Sequence, residues 1–343
     1  MKIYYILAVI GIVGMFLLPR SVAAQGKSLS NSGSVAAPFL MISLDARGLA
    51  MGNAATASAQ GIEAAIWNPA AIAVHAHNFF IAHAQWFADI RLDQAGLGFY
   101  LNNIGTIGVY LSSVNYGEMD VTTVVRPQGT GERFRASDFS LGVMFARSIT
   151  DRLILGMAVK YVQQIIWHSK ASTLAFDVGT LFHSPIWGLD FGVSISNVGG
   201  DLRMQGRDTR VFYDIDPEMT GNDNRVPARL ETESWPLPLL MRAGIQRNFR
   251  LGQNHQIATA FEVFYPSDNF ESVNAGIEYA IKKMVFFRVG YRGLFLPENP
   301  GGLSAGMGVQ YRSGRTQWSI QYAYSDFGLL HSINVFSLSV NWF

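Results

Sequence analysis

The sequence predicts an all-β protein: a fourteen-stranded antiparallel transmembrane β-barrel with a short helical and loop plug at its N-terminal end. Three observations carry that reading. Apolar residues alternate with small or polar ones from Asn78 to Phe343, short and long connections take turns, and aromatic residues sit near segment ends at Trp86, Trp167, Trp187, Tyr265, Tyr291 and Trp342. Successive strand side chains point to opposite faces, so such alternation offers one face to lipid and the other to a lumen. Leu303, Ala305, Met307, Val309 and Tyr311 alternate with Ser304, Gly306, Gly308 and Gln310; Trp318, Ile320, Tyr322 and Tyr324 with Ser319, Gln321, Ala323 and Ser325; and Leu189, Phe191, Val193 and Ile195 with Asp190, Gly192, Ser194 and Ser196.

Taken from the N-terminus, residues 1–24 read as a signal peptide. Lys2 precedes the apolar run Ile3 to Leu18, and Pro19 and the small-residue site Val22-Ala23-Ala24 follow, which places cleavage before Gln25. An uncleaved anchor is the other reading of this run, and the helix-breaking Pro19 argues against it. Only 15% of the 343 residues are charged, well below the roughly 25% of an average soluble domain, yet no internal run is long enough to cross a bilayer as a helix. Cysteine is absent, which excludes a disulfide framework and a lipid-modified cysteine. A net charge of +1 offers no field for a nucleic-acid partner. The expected location is the cell outer membrane, with lipid as the first partner.

Residues 25–77 form a periplasmic segment and lumenal plug, and 78–343 the barrel. Gly26 to Val35 is Gly/Ser-rich linker, and Ala50 to Ala73 carries many Ala and Gly with little β-branched character, so it reads as short helix and loop. Fourteen strands enclose a lumen too wide for strand side chains alone to fill, and a segment of this length suits it. The strands are expected at 78–87, 91–101, 104–116, 136–148, 152–167, 172–184, 188–198, 237–249, 255–266, 270–281, 284–294, 302–312, 316–326 and 332–343. Every second gap is then short: Asn102-Asn103, Ile149 to Asp151, Pro185 to Trp187, Arg250 to Asn254, Lys282-Lys283 and Ser313 to Arg315. These are expected as periplasmic turns, and the three longest gaps, Gly117 to Arg135, Gly199 to Pro236 and Phe295 to Gly301, all fall on the opposite side. Lys160, Asp177, Asp190, Arg242, Glu262, Glu278, Arg288 and Arg312 fall in the small/polar phase and should face the lumen, either as crosslinking pairs or simply as a hydrophilic lining. At the C-terminus Phe336, Leu338, Val340 and Trp342 form the apolar phase, while Phe343 falls in the other.

The plug segment holds Pro38-Phe39-Leu40-Met41-Ile42, then Asp45-Ala46-Arg47-Gly48-Leu49-Ala50-Met51-Gly52, then Trp67-Asn68-Pro69-Ala70. On these blocks the chain resembles the PorV/PorQ family, part of the wider FadL-like group of fourteen-stranded outer-membrane barrels, and its N-terminal block is most similar to PorV. The chain departs from the family between the blocks, where Ser58-Ala59-Gln60-Gly61 and the single acid Glu63 stand in place of a more acidic stretch. The resemblance implies a non-enzymatic component of type IX secretion, with the secretion translocon and exported proteins as partners. The alternative is a FadL-like channel for a hydrophobic small-molecule ligand, with Phe39, Leu40, Met41 and Trp67 as candidate pocket residues; a mostly Gly, Ser, Ala and charged inner phase leans against it. From the residues themselves, Gly48 and Gly52 permit tight turns and close backbone approach, Asn68-Pro69 favours a turn, and Asp45 or Arg47 could pair with lumenal charges to hold the plug shut.

Sites for chemistry are scarce. No Gly-x-Ser-x-Gly elbow, P-loop, His-Glu-x-x-His or dinucleotide fingerprint occurs, so no catalytic residue, cofactor or metal is expected. His75 and His77 could share a strand face and bind a metal, but an interface or turn role is favoured in the absence of a third ligand. The loop Gly199 to Pro236 holds eight acids, among them Asp214, Asp216, Glu218 and Asp223, against five arginines. Its spacing does not fit a calcium-binding EF-hand, and a solvated loop that touches a partner is the preferred reading.

Overall fold

The computed structural model describes residues 31–58, 60–75, 77–215, 225–296, 299 and 301–342. The expected signal peptide, Phe343 and the acids Asp216, Glu218 and Asp223 lie outside the described residues. From Ser32 onward the chain packs as one compact unit, so plug and barrel share a core.

Fourteen strands form the wall: β1 His77–Gln85, β2 Arg91–Leu101, β3 Gly105–Asp120, β4 Arg133–Ser148, β5 Leu153–Ile166, β6 Ser169–His183, β7 Leu189–Gly199, β8 Leu240–Arg250, β9 His255–Pro266, β10 Ser272–Ile281, β11 Val285–Leu294, β12 Leu303–Ser313, β13 Thr316–Asp326 and β14 Ser332–Trp342. Each pairs antiparallel with its neighbours in sequence, and β1 pairs with β14 from His77 opposite Trp342 to Gln85 opposite Asn334, which closes the cylinder. Closure leaves no unpaired edge along the wall, the condition for crossing lipid with strands. Every second connection is short and the three longest fall on the opposite side, as expected, although one connection on that opposite side, Trp167-His168 between β5 and β6, is as short as a periplasmic turn. The β3–β4 connection is shorter than the expected gap, because both strands run on past a bulge between Asn115 and Glu118. Exposed ion pairs, Arg133 with Glu118 and Asp120 and Arg135 with Glu118, lace that extension, so its side chains carry no apolar alternation to read.

The outward phase is apolar and exposed. Leu303, Met307, Val309, Tyr311, Trp318, Ile320, Phe191 and Val193 all face out, while Ser304, Ser319, Ser325, Ser194 and Ser196 are buried inside. An exposed apolar band around a closed barrel is a lipid-facing surface, and the protein is an outer-membrane β-barrel. Trp86 departs from the expected girdle: it stacks edge-on against Phe87 and Phe327, with ring centroids 5.3 and 5.4 Å away, over the extracellular end.

The inner phase is not uniformly small and polar. Phe80, Leu92, Tyr110, Val114, Met144, Ile333 and Val335 point inward and join Leu44, Leu49 and Ile62 of the plug in one buried cluster. The plug itself, described over residues 36–58 and 60–75, contains the helix α1 Ala46–Ala50 and the 3-10 turns Pro38–Met41, Ile62–Ala64 and Pro69–Val74, the helix-and-loop texture expected from its composition. Within the long loop after β7, Arg210–Asp214 and Arg225–Arg229 pair as a hairpin.

Candidate functional site: the plug seat and the cavities beside it

The plug rests on the wall through glycine. Three of the directly cross-strand glycine pairs on the inner face, Gly276 with Gly290, Gly192 with Gly244 and Gly156 with Gly179, meet plug backbone. At each pair the plug's main chain comes to within van der Waals contact of the sheet. Met51 and Gly52 sit over Gly276 and Gly290, Thr56 and Ala57 over Gly192 and Gly244, and Asn68 to Ala70 over Gly156 and Gly179. Any Cβ at Gly276 or Gly290 would strike plug backbone. Gly52 also has a φ of 65°, in the left-handed region, so both properties expected of it are used. Met51, Gly52, Asn68, Pro69 and Ala70 of the family-like blocks are thus the residues that touch the glycine pairs.

Between these seats, wall side chains satisfy the plug's backbone. Glu262 accepts hydrogen bonds from the amides of Ala55 (3.0 Å) and Thr56 (2.8 Å). The side-chain oxygen of Gln94 accepts from Leu44 N, and its amide nitrogen donates to Ile42 O. Ser194 donates to Trp67 O at 2.7 Å. Asn68 caps the 3-10 turn that follows it by accepting from Ala70 N, and its side-chain nitrogen donates to Thr56 O and, across to β6, Thr180 O. The turn expected at Asn68-Pro69 is therefore an N-cap that also fastens plug to wall.

Asp45 and Arg47 divide the roles proposed for them. Asp45 does not pair with a lumenal charge; its carboxylate caps α1, accepting from Arg47 N and Gly48 N at 3.0 Å each, and accepts from Trp67 Nε1 at 3.2 Å. Gly48 is small because that indole and carboxylate crowd it. Arg47 reaches the wall. Its Nε lies 3.0 Å from Glu278, its Nη1 donates to Ser58 O at 2.6 Å, and Glu278 also receives Arg288 Nε at 2.6 Å. Of the other charges on the inner phase, Lys160 pairs with Asp177 at 2.8 Å and Arg242 with Glu262 at 3.7 Å, Asp190 pairs with His183 at 2.8 Å towards the barrel end, and buried Asp138 accepts from Tyr116 and Gln164 instead of from a cation. His75 and His77 part company, His75 lining a lumenal cavity and His77 stacking outside on Trp342 with centroids 5.9 Å apart. No group of three metal-ligating side chains occurs among the described residues.

A cavity lies on each side of the plug. The extracellular one, of about 260 Å³, is lined by Met41 and Trp67 of the plug and by Phe264, Phe270 and Leu296 of the wall and loops. Arg242 is sandwiched there between Trp67 and Phe264, its guanidinium carbon 5.4 and 5.3 Å from the two rings. Of the pocket residues expected from the plug, Met41 and Trp67 line this cavity, while Phe39 and Leu40 are buried in the core. Phe264 and Phe270 escaped the sequence reading; the signal was an aromatic residue at 264 in the inward phase, two residues from Glu262. The periplasmic cavity, of about 240 Å³, is polar and is lined by the Arg47–Glu278–Arg288 group and by Glu63. Burial pushes the Glu63 carboxyl up to about 8.

No protein-family model matches the chain, and no curated protein matches it. Solved structures do match. The CymD monoaromatic hydrocarbon channel superposes with a TM-score of 0.58 at 13% identity, over 88% of this chain and 98% of CymD. The toluene transporter TbuX of Ralstonia pickettii gives 0.58 at 12% identity, over 89% of this chain and 100% of TbuX. The fold is FadL-like. The toluene transporter TodX of Pseudomonas putida supports the same conclusion, with a TM-score of 0.53 at 13% identity over 92% of this chain and 98% of TodX. At such identities the likeness is one of fold, and a closed fourteen-stranded antiparallel barrel with a short N-terminal helical segment is what it establishes.

Proposed function

We propose that this barrel is a non-enzymatic outer-membrane channel for a small hydrophobic molecule, which binds first in the extracellular cavity beside Trp67. The observation that carries this reading is the cavity itself: a concave space at the plug whose apolar wall is Met41, Trp67, Phe264, Phe270 and Leu296, with polar side chains such as Asn53, Asn269, Asn274 and Arg292 in the same lining to orient a ligand. The fold it shares with a monoaromatic hydrocarbon channel and two toluene transporters supports the choice of ligand class. Toluene should quench the fluorescence of Trp67 saturably, with Trp67→Phe identifying its share of the signal. Phe264→Ala should weaken that binding by roughly ten- to hundredfold, the worth of one buried aromatic contact. Absence of saturable quenching would sink the reading.

The PorV-type role in type IX secretion is the second reading. Its support is the resemblance of the plug blocks together with the long-loop hairpin, where Phe212 and Tyr213 are 75% and 62% exposed and could engage a protein partner. Crosslinking and mild-detergent pull-down of tagged protein from its own outer membrane separates the two. Recovery of a very large translocon barrel and of exported proteins sharing a C-terminal domain is the outcome expected of the secretion role; recovery of this barrel alone is that expected of the channel.

A further inference from the structure

The cavity on the periplasmic side of the plug is built unlike the extracellular one. Five buried polar atoms on side chains that line it have no hydrogen-bond partner among the described residues: Oε1 of Gln246, Oε1 of Gln321, Oδ1 of Asn341, Oε2 of Glu63 and Nη1 of Arg288. Gln246, Gln321, Asn341 and Arg288 are each more than nine-tenths buried. Buried polar groups in folded proteins are satisfied, by protein, water or ligand, and these five come from the plug and from β8, β11, β13 and β14. The side chains that carry them line one space of about 240 Å³.

We infer that this cavity is a binding site for a small neutral polyhydroxylated solute, a sugar or polyol. The donor and acceptor set selects the ligand. An anion would need donors and a metal cation would need acceptors, whereas the cavity presents both: amide oxygens on one hand, the Arg288 guanidinium on the other. A hydroxyl group donates and accepts at once. Near neutrality Glu63 holds its proton and adds a further donor. The carboxyl and cationic side chains around the space are evenly matched, with Asp45, Glu63 and Glu278 against Arg47, Lys283 and Arg288. With Glu63 protonated the set carries one net positive charge, and that charge is Lys283, which stands on an exposed periplasmic turn in solvent, so the enclosed groups balance as Arg47 and Arg288 against Asp45 and Glu278. Phe286 supplies an apolar face in the same lining, suited to the C–H face of a sugar ring.

The test uses the full barrel in nanodiscs, free of glycoside detergent. Saturation-transfer NMR with D-glucose should show saturable transfer from protein to sugar. Gln246→Leu and Asn341→Leu should each weaken it at least tenfold and leave toluene quenching at Trp67 unchanged, with the heat-modifiable migration of the barrel reporting that each variant folds. Because the chain has no cysteine, a spin label at Lys283→Cys is unique; it should broaden bound glucose resonances, and a label at Phe212→Cys on the extracellular hairpin should not. No saturable transfer in the wild-type barrel, meaning that water alone fills the space, overturns the inference, and so does transfer untouched by the label at 283. The toluene experiment on the opposite side of the plug is independent of either result.

Discussion

Glu278→Ala is expected to turn a plugged barrel into a conducting one. Glu278 is the carboxylate shared by Arg47 of the plug, at 3.0 Å, and Arg288 of β11, at 2.6 Å. The side chains of Glu278 and Arg288 are 9% and 2% exposed and that of Arg47 19%, so water reaches the group only from its cavity side. A well-made buried ion group adds little net stability over an apolar one, but deleting one partner strands the others, at a cost of about 3–5 kcal/mol. Here the deletion leaves two guanidiniums facing each other across the plug–wall boundary. The strain falls on that boundary rather than on the wall, because the strand ladders of β10 and β11 do not depend on the side chain. Arg47→Ala is the milder change: it removes the plug's contact but leaves Glu278 paired with Arg288. Single-channel recording in planar bilayers should therefore rank conductance as wild type below Arg47→Ala below Glu278→Ala. Equal conductance in all three would show that the ion group does not hold the plug.

Much of this architecture could be read from the chain because period-two alternation survives burial of one face, and because strand number fixes the side on which each connection lies. The plug's texture was legible for a similar reason: Ala- and Gly-rich sequence between Ala50 and Ala73 lacks the β-branched residues of a strand. Legibility stopped where meaning depends on what stands opposite. Glu278, Arg288 and Glu262 were recognisable as lumenal charges, yet only the folded chain shows that Glu278 receives Arg47 whereas Glu262 accepts backbone amides. Asp45 reads from the sequence as a candidate latch, and the helix Ala46–Ala50 that starts right after it makes it a cap instead. The apolar inward residues Phe80, Ile333 and Val335 contradict a polar lumen because their neighbour is the apolar plug, not water. Inner-face glycine was read simply as small, when its arrangement in cross-strand pairs is the imprint of a second backbone lying against the sheet.

That imprint supplies the other large effect. Gly290→Val should unseat the plug without opening the wall. A Cβ at Gly290 would overlap the main chain of Met51 and Gly52, and Gly276 directly across the ladder leaves no sideways room, since its own Cβ direction meets Met51. Overpacking a core costs about 1–3 kcal/mol when side chains can repack, and more when they cannot. Backbone is the obstacle here, so the upper end of that range is expected. Gly142→Ala is the control, because the group it would approach is the flexible stem of Lys160. Amide hydrogen exchange should show lost protection across Met51 to Ala57 in Gly290→Val, while the β10 and β11 amides keep theirs and Gly142→Ala behaves as wild type. Val is among the better strand residues, so a loss confined to the plug isolates the missing space as its cause. Protection retained at Met51 to Ala57 would mean that the plug is held by its hydrogen bonds to Gln94, Glu262 and Ser194 and that the glycine pairs only permit, rather than enforce, its seat.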